Sequence, residues 1–182
     1  MPRFVALLRG INVGGKNVIR MADLRACFEA DGFDDVRTYI QSGNVLFTAS
    51  GSPAALTARI ERMLISAFDY EATLVVRSAR QVRAIVDAAP ERFGADRERF
   101  RSDVIFLIPP LTPARALAGV PTRAGVDRAW TGPGVLYFER LASRAAQSRL
   151  SKIVSLPIYR SLTIRNWATT CTLLDMLQTP AS

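Results

Sequence analysis

Lys16 is one of only two lysines among 24 basic residues, the other being Lys152. It stands in Arg9-Gly10-Ile11-Asn12-Val13-Gly14-Gly15-Lys16-Asn17, a run with three glycines, two asparagines and one compact, mobile cation. Low side-chain bulk leaves many backbone N–H groups open to an anion. An ammonium on a thin stem also enters a tight cradle that a planar guanidinium does not fit. Arg9, Asn12, Gly14, Gly15, Lys16 and Asn17 are therefore candidate ligand-binding residues. The same glycines suit a tight crossover turn, and spacing alone leaves both readings open. Gly10 to Lys16 also matches the G-x-x-x-x-G-K spacing of a phosphate loop. However, Asn17 stands where magnesium needs a Ser or Thr, and Val18-Ile19-Arg20 intervene before the helix. The phosphate-loop match is read as coincidence.

Two further stretches could join that chemistry. Tyr39-Ile40-Gln41-Ser42-Gly43-Asn44 is either a well-made hairpin turn or a polar wall, with Gln41, Ser42 and Asn44 as its ligand-facing candidates. The stretch from Arg140 to Thr172 has no acidic residue, so it carries a positive potential. Within it, Lys152, Arg165 and Asn166 are candidates for a second wall. Thr163-Ile164-Arg165-Asn166-Trp167-Ala168-Thr169 reads as a helix start, with Trp167 as a core anchor.

Composition excludes several alternatives. There is no histidine, which removes the commonest general base, the commonest metal ligand and every Ser-His or Cys-His nucleophile. Cys27 and Cys171 both fall in apolar helical patterns and read as reduced core residues, so neither a metal site nor a cofactor is expected. The net charge of +8 favours an anionic partner, a small molecule or a nucleic-acid backbone. No apolar run reaches the roughly 18 residues that span a bilayer, and no signal peptide is visible, so a cytoplasmic location without membrane is expected.

The elements that must position these residues follow from hydrophobic period and punctuation. Phe4–Leu8 is an apolar strand, Met21–Ala30 a helix stopped near Gly32, and residues 36–41 and 44–48 a hairpin. Ser52-Pro53 caps a second helix, and residues 72–76 form a fourth strand. This βαββαβ order is the split βαβ, or ferredoxin-like, plait. Right-handed crossovers put the glycine-rich loop, the hairpin tip and the Asp69-Tyr70 connection at one end of that domain.

A third helix (residues 78–88) leads to a polar, arginine-rich connection at residues 91–102, the expected domain boundary. Residues 1–90 make one domain and residues 103–182 a second, incomplete plait. The second domain is expected to run strand, helix (113–118), hairpin (126–131 and 135–138), helix (142–155) and a last helix over 165–177. The fold class is α+β, two ferredoxin-like domains. The strands do not alternate apolar with polar, so the sheet faces turned from the helices are expected to be covered, by the other half of the chain or by a second subunit.

LLRGINVGGKN at the start, YIQSGNVLF at the hairpin and TIRNWATT before the last helix resemble the bacterial family catalogued as domain of unknown function 1697. The resemblance runs in register from Phe4 to about Leu177. It implies two α-β plait domains and no particular activity, so no catalytic residue carries over.

Three functional expectations follow. The first is a binding module for a phosphorylated small molecule, a nucleotide or a nucleic-acid backbone. The second is an enzyme on an anionic substrate that uses Lys16 as its base, with Asp23 or Asp69 as partner. The third is a non-catalytic homodimeric interaction protein in which the motif residues only set turns.

Overall fold

Alternate residues of the first strand, Phe4, Ala6 and Leu8, are fully buried against the helices. The intervening Val5 and Leu7 are buried as well, as the unbroken apolar run predicts. The computed structural model describes residues 1–12, 18–69 and 71–179. The chain divides into two compact units, Met1–Val82 with Leu173–Ser182, and Arg83–Thr172. The division falls inside two helices rather than in the 91–102 connection.

The first unit contains β1 (Arg3–Arg9), α1 (Met21–Ala30), β2 (Asp34–Tyr39), β3 (Asn44–Thr48), α2 (Pro53–Phe68) and β4 (Thr73–Ser78). Its sheet order is β2-β3-β1-β4, and every pairing is antiparallel. That is the ferredoxin-like arrangement, and it differs from the parallel sheet of a phosphate-loop nucleotidase. Ser52 caps α2 by accepting the Ala55 N–H, with Pro53 in the first turn. Such a cap contributes about 1 kcal/mol. Gly32, at φ +84°, terminates α1 as its position suggests. Leu24, Phe28, Leu56, Ile60 and Leu64 bury the apolar faces of both helices on Phe4, Ala6, Leu8 and Phe47.

Helix α3 (Ala79–Asp87) follows β4, and the second sheet then repeats the first. It contains β5 (Phe100–Leu107), α4 (Pro113–Gly119), β6 (Asp127–Gly132), β7 (Val135–Leu141) and β8 (Leu162–Asn166), and α5 (Trp167–Gln178) closes the chain. The order is β6-β7-β5-β8, again antiparallel throughout. Two expectations are corrected here. The helix expected over residues 142–155 is replaced by short 3-10 helices at Ala142–Gln147, Leu150–Ser155 and Pro157–Ser161. Ser148, Pro157 and a non-helical Arg144 break the run before it can propagate. The expected helix start at Thr163 is instead β8, which supplies the fourth strand and completes the second plait; α5 begins at Trp167. Among the described residues, no helix is long and apolar enough to cross a membrane.

Candidate functional site

Three backbone connections of the first unit meet at one end of its sheet. The register Leu7↔Asn44 and Arg9↔Thr73 brings the end of β1, the hairpin turn and the start of β4 together. Asn12 makes the joint. Its Oδ1 accepts the Ile19 N–H at 2.8 Å, and its Nδ2 donates to the Ile19 carbonyl at 2.9 Å and the Gln41 carbonyl at 3.1 Å. One side chain thus holds both ends of the glycine-rich segment and the hairpin tip. Asn12 adopts φ 54°, a left-handed conformation that asparagine tolerates better than most residues. Gly14, Gly15, Lys16 and Asn17 lie outside the described residues, as does Tyr70.

The hairpin side is equally constrained. Gly43 (φ +82°) accepts the Leu8 N–H on its carbonyl at 2.8 Å. A Cβ there would stand 2.8 Å from Ile11 Cδ1 and 2.9 Å from Leu8 Cβ. Asn44 is fully buried and donates to the Tyr39 carbonyl at 2.9 Å and to Ser42 Oγ at 3.1 Å. Its amide therefore shapes the turn from beneath. Gln41 and Ser42 are exposed at the rim. Arg9 is half-buried and donates to Thr73 Oγ1 at 3.1 Å. A hollow of about 220 Å³ opens between the segments, lined by Asn12, Val18, Ile19, Arg20, Met21 and Gln41. Arg20 is paired at 2.7 Å with Asp23, which removes much of its field from this hollow.

The other candidates belong to the second unit. Lys152 is exposed on the 3-10 helix Leu150–Ser155. Arg165 is buried on β8, its Nη1 donating to Thr163 Oγ1 at 3.0 Å and to the Ile164 carbonyl at 2.9 Å. Burial lowers its pKa to about 10, so it stays charged at neutral pH but is turned into the protein. Arg77 on β4 of the first unit repeats this: buried, bonded to the Val76 carbonyl, and lowered to about 10 by the same cause. Asn166 is exposed and caps α5, accepting the Thr169 N–H at 2.7 Å. The half-buried Trp167 packs edge-on against Phe93 with ring centroids 5.2 Å apart.

Asn166 also borders a cavity of about 360 Å³ whose other polar side chains include Arg97, Arg101, Asp103 and Arg140. Sequence reasoning did not single these residues out. Arg140 Nη1 lies 3.4 Å from Asp103 Oδ2, an ion-pair distance without a hydrogen bond. Burial pushes the Asp103 carboxyl up, and Arg140 and then Arg101 oppose that shift. The internal repeat exposes these residues only once the pairing registers of the two sheets are known. Aligning the two halves strand by strand sets Asp103 where the first half has Phe4.

Comparison with known proteins fits this architecture. The sequence model of the family described as "Protein of unknown function (DUF1697)" matches residues 1–137. No curated protein matches. The solved structure of the conserved bacterial protein SP0830 from Streptococcus pneumoniae superposes with a TM-score of 0.85 at 27% identity, covering 97% of this chain and 98% of that one.

Proposed function

We propose that this chain, which belongs to the DUF1697 family, is an anion-binding module for a phosphorylated small molecule, a nucleotide or a nucleic-acid backbone. The observation that carries this reading is the Asn12 joint. It pins the two ends of the segment that contains Lys16 and sets them against the exposed Gln41 and Ser42. A cradle whose ends are fixed loses less conformational entropy when an anion orders it. Asn12, Gly43 and Asn44 build the frame; Lys16, Gln41, Ser42 and the backbone N–H groups of the loop meet the ligand.

The test is titration of the full chain with nucleotides and short oligonucleotides at low and moderate salt. Binding that weakens as salt rises, and that weakens in Lys16→Ala, supports the reading. Absence of binding at low salt, or binding indifferent to Lys16→Ala, overturns it.

A second reading has one observation in its favour. Both amide atoms of Asn12 and the Nδ2 of Asn44 are engaged inside the protein. These motif residues then serve as turn-formers in a non-catalytic, homodimeric interaction protein. Light scattering that gives a dimer, together with failed anion titrations, favours it.

A further inference from the structure

The two sheets have the same order, and their registers align residue by residue. Phe4 faces Phe47 and Ser78 across its neighbouring strands; Asp103 faces Phe138 and Asn166. In the first sheet the Phe4 and Phe47 positions of this row are apolar and stacked, with ring centroids 5.8 Å apart. In the second sheet the row carries a carboxylate. The next row out is more unusual. Arg101 pairs directly with Arg140 across the strands, where the first sheet has Pro2 beside Ala49, and Arg140 has Asp127 opposite it on β6. Like charges directly opposed on one face destabilise a sheet. The fold does not require them, because the first unit makes the same sheet without them. Arg101, Asp103 and Arg140 share one face of the pleat and open on the 360 Å³ cavity, and Arg97 reaches it from the preceding connection. The side chains of Arg97 and Arg101 make no hydrogen bond or ion pair among the described residues.

We propose that this cavity is a second, separate anion site, which takes the phosphoryl group of a small phosphate monoester. The side chains that line it carry a formal +3 from Arg97, Arg101 and Arg140 and −1 from Asp103, a net +2. A phosphate monoester carries close to two negative charges at neutral pH, whereas a backbone diester carries one. Guanidinium groups give phosphate oxygens forked, charge-assisted hydrogen bonds, and the Asp103 carboxylate lies 3.4 Å from Arg140 Nη1. The volume lies at the small end of ligand pockets, which suits a compact metabolite and not a polymer. The site stands independently of the glycine-rich loop.

The experiment is calorimetric titration of the full chain at low, constant ionic strength with inorganic phosphate, a hexose monophosphate and dimethyl phosphate as the diester control. The monoester should bind and the diester should bind more weakly. Arg97→Gln and Arg101→Gln are exposed substitutions and should keep the fold by circular dichroism while weakening monoester binding about tenfold each. Arg140→Gln alone leaves Asp103 poorly compensated, so the double variant Arg140→Gln/Asp103→Asn is the safer probe, and it too should lose affinity. In Lys16→Ala, which removes any contribution of the loop, the monoester should still bind and Arg97→Gln/Arg101→Gln should still weaken it; loss of all monoester binding in Lys16→Ala would overturn the proposal. No monoester binding by the wild type, equal binding of the diester, or unchanged affinity in Arg97→Gln/Arg101→Gln would each overturn the proposal.

Discussion

The two sheets of this chain share one strand order, yet they part at one row of residues and at the next beyond it. The first sheet closes that row with stacked Phe4 and Phe47; the second places Asp103 beside Phe138, with Arg101 facing Arg140 one row further out. Elsewhere the sheets agree closely. Arg77 and Arg165 stand at matching positions, opposite Val5 and Val104, and each is buried and folded back onto the carbonyl of the residue before it. A repeated architecture acts as its own control. Features common to both halves, such as the buried arginines, belong to the plait as this chain builds it. A feature present in one half and costly there calls for a reason outside the plait. Burial of a carboxylate and opposition of two guanidiniums are both costly.

The comparison can be broken most severely by moving the second sheet's chemistry into the first. Phe4→Asp removes an aromatic stack and buries a carboxylate with no Arg101 or Arg140 counterpart. A loss of about 4 kcal/mol or more is expected by urea denaturation. A loss under about 1 kcal/mol would mean that the row is permissive and that the charged version carries no message. Gly43→Ala tests the tightness of the loop end of the first unit. It forces a left-handed alanine and a Cβ onto Ile11 and Leu8, so a loss of about 2–3 kcal/mol is expected.

Smaller effects sharpen the same contrast. Asn12→Gly keeps the backbone conformation but deletes the three hydrogen bonds of the joint, and should cost about 1–2 kcal/mol. It should also speed amide exchange at Ile19. Asp103→Asn gives the subtlest result, read as stability against pH. Burial holds the Asp103 carboxyl above its ordinary range, so the folded state binds that proton more tightly than the unfolded chain. The stability from this group is present at low pH and is lost as pH rises through the folded pKa. The asparagine variant should therefore match or exceed the wild type at neutral pH, with the advantage fading as pH falls. A variant less stable than the wild type at neutral pH would show that the Arg140 pair outweighs burial.

Much of the frame was legible because it is local. Met21–Ala30 follows from helical spacing, the α2 start from Ser52-Pro53, and the hairpin turn from Ser42-Gly43. The meeting of loop and hairpin tip followed from topology and handedness. The second half was harder. β8 is five residues long and includes Thr163, Arg165 and Asn166, so its polar side chains disguised a strand as a helix start. The 142–155 stretch had helical composition but breaks that favour 3-10 turns. The arginine cavity was invisible for another reason. Arg97 and Arg101 were read as part of a polar connection, and Arg140 reaches Asp103 only through strand pairing across 37 positions (140 − 103). Long-range pairing of charged residues leaves no period in the sequence; only superposing the two halves exposes it.

Two arginines tie the start of the first unit to residues 176–179. Arg3 donates to the Leu177 carbonyl at 3.0 Å, and Arg37 donates to the carbonyls of Met176 at 2.9 Å and Thr179 at 3.1 Å. The first unit therefore draws on residues translated after the whole of the second. At ribosomal rates of about 5–20 residues per second, the opening segment waits on the order of ten seconds for its last partners. Premature termination near residue 172 should thus injure the N-terminal unit, although every residue from 1 to 82 has been synthesised.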